Sequence, residues 1–160
     1  MRKQIMNNPL VILLSTFISV ILTISTFPLG YLSPDWMLLI ILYWMIAVPS
    51  MYNLYTVWLI GIIADVTVGS ILGMNALVYI FLSFIVKKLH KSLRYFTIIQ
   101  QSIIILIVFL IKVTFLIWID SLLGSEIFNI DMYFVALTSA LLWPAVFYSL
   151  RYFRRRYNIA

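Results

Sequence analysis

The sequence contains no cysteine and only one histidine, His90, among its 160 residues. Without cysteine, structural disulfides and thiolate metal sites are excluded. A single imidazole does not make a zinc or di-iron centre, and only five acidic residues are available to bind a hard metal ion. We therefore expect no metal ion and no other cofactor.

Charged residues are also scarce, at 10% of the chain, whereas hydrophobic residues make up 64%. The mean hydropathy is +1.11. A soluble domain of this size needs a more polar composition to cover its core with a hydrated surface. The composition therefore predicts an integral membrane protein.

The residues that commonly carry catalysis form no recognisable site in this sequence. No nucleophile stands at a typical spacing from a general base, and no glycine-rich loop suited to phosphate is present. We accordingly do not expect an enzyme. We also expect no binding of nucleic acid.

Six apolar runs predict six transmembrane helices, because about 20 apolar residues cross the hydrocarbon core of a bilayer. The runs are residues 10–27, 36–48, 54–68, 74–86, 97–119 and 132–150. The first is too long for a signal peptide, so we interpret it as a retained membrane helix. The second to fourth are short, and we expect flanking residues to extend them or neighbouring helices to shield them. The predicted fold is an all-α polytopic membrane protein with a single transmembrane domain, residues 1–160.

Basic residues fall on one side of this six-helix topology. The N-terminus carries Arg2 and Lys3, and the fourth connection carries four basic residues between Lys87 and Arg94. Because cytoplasmic loops retain positive charge, this pattern predicts that both termini are cytoplasmic. The acidic residues outside the spans lie on the opposite side: Asp35, Asp120, Glu126 and Asp131.

The C-terminus adds a further basic cluster to the cytoplasmic side. It consists of Arg151, Arg154, Arg155 and Arg156. The simpler interpretation is a stop-transfer signal, which needs no partner. The alternative is a contact with anionic membrane lipid or with an acidic cytoplasmic protein.

Asp65 and Lys112 are the two charged residues inside predicted spans. A charge at bilayer depth costs at least about 2.5–3.5 kcal/mol unless it is paired or solvated. Both residues lie at a similar depth on helices that run outward, so the sequence allows an Asp65–Lys112 ion pair. Independent solvation, with Lys112 reaching towards the interface, is the alternative that the sequence leaves open.

Small residues accompany Asp65 on one face of the third span. Such a stripe predicts packing against protein and not against lipid. In the last span, the Trp143-Pro144 pair predicts a kink. The candidate helix-packing or partner face therefore comprises Gly61, Ala64, Asp65, Gly69, Gly73, Trp143 and Pro144.

Several short segments, taken in order, resemble the family of rod shape-determining protein MreD. The resembling segments are Ser33–Trp36, Tyr43–Trp44 with Pro49, Gly61–Asp65, Gly69–Gly73, Gln100–Gln101 and Leu142–Pro144 with Arg151. The resemblance covers most of the chain. Lys112 is not part of this pattern.

The resemblance implies a non-enzymatic scaffold subunit of the bacterial elongation machinery in the cytoplasmic (inner) membrane. It implies direct binding of the bitopic protein MreC. The resemblance further implies that MreC links MreB filaments with the glycosyltransferase RodA and a penicillin-binding transpeptidase. The expected role is in sidewall peptidoglycan synthesis and cell shape.

The family also looks similar in fold to the substrate-binding (S) subunits of energy-coupling-factor vitamin transporters. This similarity implies a rival function, a small-molecule-binding subunit of a vitamin transporter. Asp65, Ser70 and Asn75 could contribute to such a pocket, although polar groups are few. The scaffold is the preferred interpretation.

Overall fold

The computed structural model describes residues 9–49, 53–124 and 131–157. Within these ranges the chain forms six α-helices and no strand, which confirms the predicted all-α fold class. The helices are α1 (Pro9–Ile24), α2 (Trp36–Ala47), α3 (Leu54–Val68), α4 (Met74–Leu93), α5 (Ile98–Leu122) and α6 (Met132–Arg156). A 3₁₀ turn, Gly30–Leu32, lies between α1 and α2. Arg2, Lys3 and Glu126 lie outside the described residues.

Helix α2 lies at the centre of the bundle. Every side chain from Met37 to Ala47 is buried, and the helix is apolar on all sides. A helix that is hydrophobic all round has to be surrounded by other helices or by lipid. Here α1, α3, α4 and α6 contact it. Because its neighbours shield it, α2 can be much shorter than a helix that crosses a bilayer alone.

Helices α3 and α4 pack closely because of Gly61. A Cβ atom at Gly61 would lie only 2.4 Å from the Cα atom of Ala76 in α4. Any side chain at Gly61 would therefore collide with the backbone of α4. Ala64 and Asp65 are also buried on this helix. The predicted small-residue face of α3 thus packs inside the molecule.

Helices α2, α4 and α6 run in the same direction, and their C-terminal ends lie together. Arg94, just after α4, donates to the carbonyl groups of Ile46 and Ala47 at the end of α2. Arg154 in α6 also reaches the Ala47 carbonyl oxygen, at 3.5 Å. We call this the basic end of the bundle. Its described basic residues are Lys87, Lys88, Lys91, Arg94, Arg151, Arg154, Arg155 and Arg156.

The opposite end of the bundle, where α2 and α4 begin, carries the described acidic residues. They are Asp35, Asp65, Asp120 and Asp131. We call it the acidic end. Among the described charged residues, Lys112 in α5 is the exception to this separation of charge.

The outside of the bundle is suited to lipid. Helices α5 and α6 are each long and apolar enough to cross a membrane, and α1, α2 and α3 are shorter apolar helices. Large apolar side chains such as Phe17, Leu72 and Leu141 are more than half exposed. An apolar exterior of this extent is typical of a surface in contact with a bilayer.

Candidate functional site

At the acidic end, Asp35 links four helices. It is the N-cap of α2, and its Oδ1 atom accepts a hydrogen bond from the Leu38 N–H at 3.1 Å. Its Oδ2 atom accepts from the Tyr79 hydroxyl of α4 at 2.6 Å and from the Lys112 ammonium of α5 at 2.5 Å. The Asp35 N–H donates to Ser139 Oγ of α6 at 3.3 Å. One residue therefore fixes α2, α4, α5 and α6 relative to one another.

The ion pair between Lys112 and Asp35 is shielded from the surroundings. The two side chains are only 11% and 10% exposed, respectively. The Lys112 ammonium also lies 5.4 Å from the centre of the Tyr79 ring, within the range of a cation–π contact. Each charge compensates the other where neither could be hydrated freely.

The predicted pair between Asp65 and Lys112 is wrong. Lys112 pairs with Asp35, and Asp65 is bound by the N-terminus of α4. The first turn of a helix has N–H groups without partners in the helix and carries partial positive charge. These groups compensate the Asp65 carboxylate, so it needs no lysine.

Asp65 thus acts as a cap supplied from a neighbouring helix. Its carboxylate accepts from the N–H groups of Gly73 and Asn75, both at 2.8 Å, and of Ala76 at 3.4 Å. It also accepts from the Ser70 hydroxyl at 2.8 Å. Since this carboxylate is fully buried, these four donors replace the water that it lost on folding.

Gly69 and Gly73 shape the turn between α3 and α4. Their φ angles are +73° and +97°, in the left-handed region that glycine adopts without a steric penalty. A Cβ atom at either position would meet nothing within 4 Å, so neither residue serves close helix packing. Their contribution is to bring the start of α4 to Asp65.

Trp143 and Pro144 occupy the middle of α6. Trp143 is fully buried, and its Nε1 atom donates to Gln101 Oε1 of α5 at 3.3 Å. Pro144 lies inside the helix, as its sequence position predicts. Trp143 therefore packs within the bundle, and other residues of α6 on both sides of Pro144 remain exposed.

One face of α6 forms one wall of a groove between α1 and α6, with a volume of about 570 Å³. The floor is provided by Trp36 and Ile40 of α2, and the lining extends from Leu22 near the acidic end to Phe153 near the basic end. We call it the lateral groove. It runs along most of the bundle and is lined almost entirely by apolar side chains.

Two exposed small residues, Ala145 and Ser149, lie one helical turn apart in the wall of the lateral groove. Small residues spaced four apart allow a second membrane helix to approach the backbone closely. A lipid chain has no need of this spacing. The pattern therefore favours a helix as the occupant of the groove.

The C-terminal arginines are divided between two environments. Arg151 and Arg154 are half-buried and line a pocket at the basic end, whereas Arg155 and Arg156 are exposed. The four residues consequently do not form a single surface.

Asp35 was expected in a connection between spans, and its role in the site was not foreseen. A signal was present, because an aspartate directly before an apolar run is typical of a helix N-cap. Tyr79 and Ser139 carry no comparable signal. Their roles depend on which helices become neighbours, and this is a property of the folded bundle.

Residues 3–153 match the family model described as rod shape-determining protein MreD. Rod shape-determining protein MreD of Haemophilus influenzae is 32% identical to this chain over 145 residues, which cover 89% of each protein. No solved structure matches the chain.

Proposed function

The chain belongs to the MreD family of rod shape-determining membrane proteins, and on this premise we propose that it is a non-enzymatic scaffold of the bacterial elongation machinery. In this proposal it binds MreC directly in the cytoplasmic (inner) membrane. Through MreC it helps to couple MreB filaments to RodA and a penicillin-binding transpeptidase during sidewall peptidoglycan synthesis.

The distribution of charge supports a defined orientation in the membrane. The described lysines and arginines other than Lys112 lie at the basic end, and cytoplasmic segments of membrane proteins are enriched in these residues. We therefore propose that the basic end faces the cytoplasm. In that orientation both termini are cytoplasmic, and the lateral groove runs between the two membrane surfaces.

The lateral groove is the observation that carries the scaffold function. It is open to the bilayer, apolar along its length and lined by the exposed small residues Ala145 and Ser149. A bitopic partner such as MreC offers one membrane helix, and a single helix fits a groove of this form. We propose that the MreC helix lies in the lateral groove.

Hydrogen bonds fix both walls of the groove to its floor. On one side, the Trp44 Nε1 atom of α2 donates to Ser15 Oγ of α1 at 2.8 Å. On the other, the Asp35 N–H donates to Ser139 Oγ of α6. A groove whose walls are held in place before binding loses less conformational entropy when a helix enters.

The rival function, vitamin binding by a fold similar to transporter S subunits, would need free polar groups near the acidic end. Asp65, Ser70 and Asn75 are the residues expected to supply them. The Ser70 hydroxyl donates to Asp65, and Asn75 Nδ2 donates to Ser70 Oγ at 3.0 Å. Because these residues bond to one another and close the α3–α4 turn, they favour the scaffold over the transporter subunit.

Site-specific crosslinking tests the proposed contact. A photoreactive amino acid is placed at Ala145 or Ser149 in the groove, or at Val66, a lipid-facing residue of α3 that is 68% exposed. Each variant is expressed in a bacterium whose own copy has been deleted. We expect crosslinks to MreC from Ala145 and Ser149 and none from Val66. Crosslinks from Val66 alone would place MreC on the wrong face for this proposal.

A further inference from the structure

A second pocket lies at the basic end, enclosed by the end of α2, the α4–α5 turn and α6. Its volume is about 480 Å³, within the range of roughly 300–1,000 Å³ that is common for small-molecule sites. Arg94, Arg151 and Arg154 line it, and among the residues that the structure describes no acidic side chain does. We call it the arginine pocket. Three guanidinium groups share it, and no carboxylate of the described residues balances their charge there.

Part of this arrangement has a structural role. Arg94 donates through Nε and Nη2 to the carbonyl groups of Ile46 and Ala47, and Arg154 Nη1 reaches the same Ala47 carbonyl. These contacts satisfy the C-terminal carbonyl groups of α2, which have no partner within the helix. An arginine has five N–H donors, so each side chain keeps donors for another acceptor.

Arg151 has no such role in capping α2. Its guanidinium carbon lies 5.7 Å from the centre of the Phe147 ring. The Phe147 ring in turn meets the Tyr43 ring edge-on, with 5.7 Å between the two centroids. These ring contacts order Arg151 beside the pocket, and within the described part of the chain its N–H groups remain available for a ligand.

The Tyr43 hydroxyl is the second, independent indication of a ligand. Tyr43 lines the pocket and is only 1% exposed, yet its hydroxyl has no hydrogen-bond partner within residues 9–49, 53–124 and 131–157. Arg151 and Arg154 line the same pocket as Tyr43. Buried polar groups are nearly always paired, so an unpaired hydroxyl beside cationic groups indicates an acceptor that is anionic.

We propose that the arginine pocket binds a phosphate group, carried by the headgroup of an acidic phospholipid or present as free inorganic phosphate. Guanidinium groups bind phosphate oxygens through paired, charge-assisted hydrogen bonds. Arg151 and Arg154 supply these bonds, and the Tyr43 hydroxyl donates to a further oxygen. This site lies apart from the lateral groove, and its occupancy does not depend on the binding of MreC.

Binding is measured on the purified full-length chain in detergent micelles. The probes are phosphatidylglycerol, dioleoylglycerol as a lipid without phosphate, and inorganic phosphate against chloride at equal ionic strength. Thermal unfolding gives the apparent affinity of each probe. The variants are Tyr43→Phe, the pair Arg151→Gln and Arg154→Gln, and the control pair Arg155→Gln and Arg156→Gln, which removes the same charge outside the pocket.

We expect the unmodified chain to be stabilised by phosphatidylglycerol and not by dioleoylglycerol. A lost hydrogen bond to a charged group corresponds to roughly tenfold or more in affinity, so Tyr43→Phe should weaken binding about tenfold. The double substitution at Arg151 and Arg154 should weaken binding further. The control double substitution should leave the affinity within about twofold of that of the unmodified chain. Without ligand, Tyr43→Phe should unfold no earlier than the unmodified chain, since it removes a hydroxyl that has no partner among the described residues.

Two results support the proposal and distinguish the sources of phosphate. Stabilisation by phosphatidylglycerol alone identifies a lipid headgroup, and stabilisation by inorganic phosphate as well identifies a general phosphate site. Equal weakening by the control pair would overturn the proposal, because the arginines would then act only through their net charge. Unchanged affinity in Tyr43→Phe and in the pocket pair would overturn it as well.

Discussion

Lys112 of α5 and Asp35, the N-cap of α2, form an ion pair in which Nζ and Oδ2 are 2.5 Å apart. The same Asp35 atom accepts from Tyr79 of α4, and the Asp35 N–H donates to Ser139 of α6. The pair therefore joins the central helix to three others at the acidic end. Through its N–H group, Asp35 also contacts α6, which forms one wall of the lateral groove.

Removing one partner of this pair should destabilise the protein strongly. Lys112→Met leaves the Asp35 carboxylate shielded and without its cation, and we expect a loss of about 3–5 kcal/mol in the free energy of unfolding. The double variant Lys112→Met with Asp35→Asn should lose less than the sum of the two single variants, since it leaves no unpaired charge. Chemical or thermal unfolding in detergent measures these effects. Lys91→Met, an exposed lysine at the basic end, is the control. Additive losses in the double variant would show that the two residues are not coupled.

Asp65→Ala should destabilise the junction between α3 and α4. The substitution removes the acceptor for the N–H groups of Gly73 and Asn75 and for the Ser70 hydroxyl. We expect a loss of about 3 kcal/mol, because buried donors would be left without partners. Hydrogen exchange should then increase in the first turn of α4. Ser70→Ala removes one donor to the same carboxylate and should cost about 1 kcal/mol. An equal loss in both variants would contradict the capping role of Asp65.

Gly61→Ala should disrupt the packing of α3 on α4. The added methyl group would lie 2.4 Å from Ala76 Cα, so the two backbones would have to move apart. Overpacking of this kind costs roughly 1–3 kcal/mol. Val66→Ala on the exposed face of α3 should change stability by less than about 0.5 kcal/mol. A Gly61→Ala protein as stable as the Val66→Ala protein would show that α3 and α4 do not approach this closely.

The proposed orientation can be tested with single cysteines, since the chain has none of its own. Ser121→Cys lies near the acidic end and Arg155→Cys at the basic end, both at exposed positions. With the basic end in the cytoplasm, a membrane-impermeant maleimide added to spheroplasts should label Ser121→Cys and spare Arg155→Cys. Labelling of Arg155→Cys alone would show that the protein has the opposite orientation.

The helices were predictable from the sequence because each apolar run is bounded by proline, glycine or charge. The ends of α4 and α6 were not. Both helices continue past the expected limits, Val86 and Leu150, into their basic segments. A positive charge ends the part of a helix that lies in hydrocarbon, but it does not interrupt the backbone hydrogen bonds, so the helix can extend into water.

The partners of the buried charges were less predictable. Lys112 and Asp65 are at similar depths in the sequence-based topology, yet depth does not determine which faces meet. The Asp65 carboxylate accepts hydrogen bonds from the turn and helix start that follow it directly, whereas Asp35 and Lys112 are 77 positions apart. The first contact is local and could have been inferred from the short turn. The second depends on how α5 packs beside α2.

We propose that the lateral groove holds the membrane helix of MreC. This proposal is tested by the amount of MreC that co-purifies from bacterial membranes with Ala145→Phe, compared with Val66→Phe. Both variants add an aromatic ring at an exposed position, but only Ala145 lines the groove. We predict that Ala145→Phe retains its thermal stability and loses at least about nine-tenths of the bound MreC, as expected from a clash of about 1.4 kcal/mol or more, while Val66→Phe retains MreC. Full recovery of MreC with Ala145→Phe would show that the MreC helix does not lie in the lateral groove.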